Sequence, residues 1–150
     1  MLGEAQNTLL TLAEVAIALA DFSAIIVVFR RGADGKWRHR DADQFHGMVI
    51  HAICAVVFCL LPAIVNLVVQ DAVLALHICC ALLGTQMVAH AVGVMRFATS
   101  DWLARTLLLF GLVLGLTQFA VFTDWGVHRE FEVYTVGIMW HILQAGVPTV

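Results

Sequence analysis

Glu14 and Asp21 stand seven residues apart in an apolar run, 8–29, that holds no other charge. Seven residues make two helical turns, so both carboxyls project from nearly one face, which Thr11 shares while Ser23 lies to one side. A neutral acid on that face donates a hydrogen bond, and an ionised one binds a cation. An acid at mid-bilayer depth costs about 2.5–3.5 kcal/mol, so the face must meet a partner helix, a cavity or a proton. Asp21 falls nearer than Glu14 to the midpoint of 8–29. These two residues are the expected proton- or cation-responsive groups. The plainer alternative is that protonated acids join the first helix to its neighbours.

Histidines form a second group. His51 falls early in the second apolar run, His77 and His90 in the third, and His141 in the middle of the last. Two histidines from different helices can ligate a haem iron. His77 and His90 are about 140° out of register on one helix and do not line one slot. A haem therefore requires His51, His90 and His141 to converge from separate helices. The plainer use of each is a hydrogen bond to a polar neighbour. No cofactor and no metal motif is otherwise expected.

Polar residues recur at helical spacing elsewhere: Cys79, Gln86 and His90; Tyr134, Gly137, His141, Gln144 and Pro148; Cys59, Pro62 and Asn66. Such faces can line a wet path, here through His51, Asn66, Gln86, His90, His141 and Gln144. Their commoner use is to hold a bundle together. Pro62 should kink its helix, and Gly111 with Gly115 makes a G-x-x-x-G that permits close helix packing, with Gln118 a heptad beyond Gly111. Cys54, Cys59, Cys79 and Cys80 form no C-x-x-C pair and read as small buried groups.

The elements that must position these residues are membrane helices. Apolar residues make up 61% of the 150 and charged residues 13%, against about 45–50% and about 25% in a soluble domain. Apolar runs at 8–29, 44–69, 72–95 and 102–123 are long enough to cross, and a fifth at 131–150 is expected to cross as well. The expected fold is one all-α, polytopic membrane helix bundle of four helices plus that fifth. Gln70 and Asp71 form a tight turn between the second and third spans, and Asp34-Gly35 marks a turn in the loop 30–43. No basic n-region precedes the first run, so no cleaved leader is expected.

Arg30, Arg31, Lys36, Arg38, Arg40, Arg96 and Arg105 share one side, and Arg129 alone falls on the other. The loop 30–43 is therefore expected in the cytoplasm, the N-terminus outside, and the C-terminus inside if the fifth helix crosses. Trp37, Trp102, Trp125 and Tyr134 sit near span ends, as interfacial aromatics do. The net charge of −3 offers no nucleic-acid surface. No H-E-x-x-H, G-x-S-x-G or phosphate-binding glycine loop occurs, so no enzyme is expected.

The stretch TLAEVAIALADFSAIIVVFRR, a short charged loop with a Trp, and a second apolar span reaching Leu-Leu-Pro at 60–62 resemble a recurring kind of short bacterial multi-span membrane protein. The resemblance is concentrated in residues 1–62. It implies an inner-membrane location but no activity and no site residue. Leu-Ala-Glu-Val at 12–15 is also similar to the first helix of small multidrug-resistance exporters. The Trp-Ser-Gly-x-Gly of their third helix has no counterpart here, so that likeness carries no function. The expected role is a homo-oligomeric, proton- or cation-responsive pore or carrier in the lipid bilayer. The alternatives are an accessory subunit of a larger membrane complex and, behind it, a haem- or quinone-binding electron carrier.

Overall fold

The computed structural model describes residues 2–29, 39–95, 102–123 and 129–146. They form five helices: α1 (Leu2–Phe29), α2 (His39–Val69), α3 (Ala72–Met95), α4 (Trp102–Phe122) and α5 (Glu130–Gly146). No strand occurs among the described residues. Four segments are long and apolar enough to cross a membrane: Glu4–Ile25, Phe45–Val69, Ala72–Met95 and Arg105–Phe122. The fold is all-α and that of a multi-pass membrane protein.

Two helices start earlier than hydropathy predicts. α1 begins at Leu2 rather than residue 8, and α2 at His39 rather than 44. Hydropathy marks where lipid begins, whereas a backbone ladder continues through polar residues wherever water solvates the ends. Glu4 in the first turn of α1 also complements the helix dipole. The extension moves the midpoint of α1 to Val15 and Ala16. Glu14 therefore lies closest to the helix middle, and Asp21 stands about 8 Å along the axis from it. This reverses the order expected from 8–29.

Part of the predicted loop is helical, since α2 includes 39–43, while the Asp34-Gly35 turn and Trp37 fall outside the described residues. α5 has 17 residues, about 25 Å of helix, short of roughly 30 Å of hydrocarbon. Residues 147–150, with Pro148, lie outside the described residues. Pro62 sits within α2, which runs on to Val69.

The turn between α2 and α3 is closed by local chemistry. Gln70 adopts φ 56°, the left-handed conformation that ends a helix. Its N–H donates to the Asn66 carbonyl at 2.9 Å. Asp71 then caps α3, its carboxylate accepting from the N–H groups of Val73 (3.0 Å) and Leu74 (3.1 Å).

The chain divides into two compact units, Met1–Leu60 with Ile138–Val150, and Leu61–Gly137, with divisions inside α2 and α5. In the second unit α3 packs on α4. On α3 the buried face mixes small groups, Ala75, Cys79, Cys80, Gly84 and Ala91, with Leu83 and Met87, and α4 buries Gly111 and Gly115 together with Leu108, Gln118 and Val121. Large residues such as Leu109, Phe110, Val113 and Leu116 point outward. The small residues let the two helices approach closely. In lipid, association comes from close packing, because the surroundings are as apolar as the core.

Candidate functional site

Three polar arrangements are built on this frame. The first is on α1. Leu9, Ala13, Ala16 and Ser23 are buried, and they lie on one side of the helix. Directly opposite, Glu4, Asn7, Thr11, Glu14, Ala18, Asp21 and Ile25 are all exposed. They follow a three- and four-residue alternation, the spacing of a helix seam. The pairing of Glu14 with Asp21 is thus part of a longer line of exposed residues. Thr11 satisfies its own hydroxyl, which donates to the Asn7 carbonyl at 3.0 Å. Ser23, off the line, does the same to the Leu19 carbonyl at 2.7 Å. An ionised carboxylate gains no such bond from a helix carbonyl, which offers it no proton. Sequence reasoning missed Glu4 and Asn7 because the hydropathy window opened at residue 8.

The second arrangement lies in the unit that also holds α1. His51 of α2 and His141 of α5 are buried, 8% and 1% exposed. Their Nδ1 atoms stand 3.1 Å apart. The rings are tilted by 32° with centroids 5.4 Å apart. Phe58, seven residues beyond His51 on α2, stacks on His141 at 6.2 Å and 9°. At this distance one Nδ1 carries a proton and the other accepts it. Two nitrogens on opposite sides of a haem iron would stand about 4 Å apart. His90, the third residue of the haem reading, belongs to the other unit and is half-buried.

The third arrangement fills the second unit. Gln118 of α4 is fully buried, and its Nε2 donates to the Val133 carbonyl of α5 at 2.8 Å. Only glycine at 137 admits that amide, since a Cβ there would lie 2.7 Å from Gln118 Nε2 and 2.7 Å from Leu83. A Cβ on Gly84 would lie 2.9 Å from the Gly115 carbonyl oxygen. Gly115 of the G-x-x-x-G therefore packs on α3 of the same chain. Tyr134 is fully buried and hydrogen-bonds Cys79. It does not stand as a lipid-facing interfacial aromatic, because it shares the buried face of α5 with Gly137 and Ile138. Cys59, Cys79 and Cys80 are buried, Cys54 is half-buried, and none forms a disulfide.

The remaining residues of the predicted polar path differ in exposure. Asn66 is exposed, while Gln86, Gln144 and Pro62 are half-buried. Among the described residues, the buried atoms Gln86 Oε1, Gln118 Oε1 and His77 Nε2 have no hydrogen-bond partner. Within the first unit, the path residues His51 and His141 come together.

Four membrane-length helices and this distribution of polar groups define a small integral membrane protein. Comparison with known protein families, characterised proteins and solved structures finds no match to this chain.

Proposed function

We propose that the chain is a bacterial inner-membrane protein that assembles with copies of itself along α1 and carries protons or cations past Glu14 and Asp21. The observation behind this reading is the outward polar line of α1, with both acids exposed on it. Facing lipid, the pair would cost about 5–7 kcal/mol, comparable to the whole stability of a domain. A second copy of α1, with water between the helices, removes that cost. It also places acids about 10 Å apart along a shared path. The positive loop 30–43 sets the cytoplasmic side, with the N-terminus outside.

Assembly and transport are tested separately. Cysteine placed at Ala18, on the line between the acids, should cross-link to a second copy in membranes. Cysteine at the buried Ala13 on the opposite face should not. In liposomes, wild-type protein should dissipate an imposed proton gradient, and Glu14→Gln should slow this more than Asp21→Asn. Flux in both variants equal to that of the wild type would refute the transport reading. The accessory-subunit reading draws on the same exposed acids, which would pair with basic residues of another chain. The G-x-x-x-G no longer supports it, being used within the chain. Co-purification of a second chain, with no Ala18→Cys cross-link, would favour it.

A further inference from the structure

We propose that His51 and His141 form an acid-sensitive latch between α2 and α5, closed while the pair holds at most one added proton and opened by the second. In the neutral pair one Nδ1–H donates to the other Nδ1 across 3.1 Å. The first added proton goes to Nε2 of the donor ring, because both Nδ1 positions are already engaged. That ring becomes an imidazolium, and the contact becomes a charge-assisted hydrogen bond, stronger than the neutral one. The second added proton must go to the accepting Nδ1. Two N–H groups and two positive charges then face each other with no acceptor between them, and the rings must part. The open pair binds more protons than the singly protonated closed pair, so falling pH favours opening. The two protons belong to the pair, in coupled steps, rather than to either ring alone.

The pair is built by the fold rather than met at a surface. Its members come from different helices, are more than nine-tenths buried, and converge over ninety residues of sequence. Phe58 stacked on His141 hinders rotation of that ring. His51 lies six residues, about 9 Å, into the membrane segment that begins at Phe45. His141 lies five residues, about 7.5 Å, before the end of α5 at Gly146. The latch therefore sits near the end of α2 that adjoins loop 30–43 and responds to the pH on that side. Within the same compact unit, α1 buries Leu9, Ala13, Ala16 and Ser23, none of which titrates, while its acids are exposed. On α2, His46 is exposed, and the thiols of Cys54 and Cys59 carry no charge in acid. From Ile138 to Gly146, α5 holds no titratable side chain besides His141. The inference is independent of the α1 assembly, since neither acid takes part in the latch.

Amide exchange of the full chain in detergent, read by mass spectrometry from pH about 8 to about 4 across the imidazole range and corrected for intrinsic rates, tests it. Protection of peptides from 138–146 should fall at least about tenfold at the acid end, while peptides of α3 keep theirs. His51→Gln and His141→Gln each leave a single imidazole, so two charges can no longer meet. Protection of 138–146 should then lose its dependence on pH. His46→Gln, His77→Gln and Glu14→Gln should respond as wild type. Wild-type protection of 138–146 that does not change with pH overturns the proposal. So does a fall shared equally by α3, or one that persists in both pair variants. If the pair variants do not fold, imidazole nitrogen NMR of the wild type decides. Two rings titrating in coupled steps support the latch, and two rings titrating independently reject it.

Discussion

α1 and α4 each carry a polar line at heptad spacing in an apolar helix, and they turn it in opposite directions. On α4 the line is Gly111, Gly115 and Gln118, all buried. It is neutral, and the Gln118 amide finds a carbonyl on α5. On α1 the line includes Glu14 and Asp21, and it is exposed. A neutral amide in the bilayer is satisfied by one backbone oxygen, so the chain can use it as internal packing. A carboxylate needs a proton, a cation or several donors, and Glu14 and Asp21 both stand exposed on α1. The two lines separate a buried polar group that the fold itself satisfies from exposed acids on which the proposed assembly rests.

The largest expected effect bears on α1. Glu14→Leu should ease membrane insertion of α1 by about 2.5–3.5 kcal/mol, measured in a translocon-insertion assay, while lowering the oligomer fraction in detergent. A rise in both would show that α1 faces lipid and would remove the contrast with α4. Gly84→Val comes next. Its Cβ would press on the Gly115 carbonyl at 2.9 Å, backbone that cannot swing aside, and should cost about 1–3 kcal/mol in a denaturation titration with Gly93→Val as control, where no atom lies within 4 Å. Asp71→Ala removes the cap of α3 and should cost about 0.5–2 kcal/mol, read as faster amide exchange at Val73 and Leu74. Gln118→Met should change stability by less than about 1 kcal/mol. It loses one hydrogen bond, worth about 0.6 kcal/mol on average between membrane helices, and relieves the buried Oε1 that lacks a partner. A larger loss would mean that this amide has a role beyond packing.

Much of the fold was legible from residue order. Third-span bounds at 72–95 coincide with α3, and the Gln70–Asp71 turn needs only the two residues that make it. Helix starts were not legible at 2 and 39, because the polar first turns of α1 and α2 look like loop to a hydropathy scale. Tyr134 was misread for a related reason. Its place near a span end says how deep it sits, but not which way the helix face turns. The convergence of His51 and His141 had no signal in spacing, since ninety residues separate them. The G-x-x-x-G was visible as a motif, yet its partner, Gly84, was not.

Residue order alone determined that this chain enters a bilayer, and which residues share each helix face. Both follow from local physics: about twenty apolar residues satisfy the span, and a fixed turn of about 100° per residue sets the faces. Tertiary packing decided which face of each helix turns inward. It put small residues at the contacts, left the acids of α1 outside, and brought two imidazoles within 3.1 Å. In an apolar helix nearly every face is greasy enough to be either side, so only the fit of one helix against the next could choose.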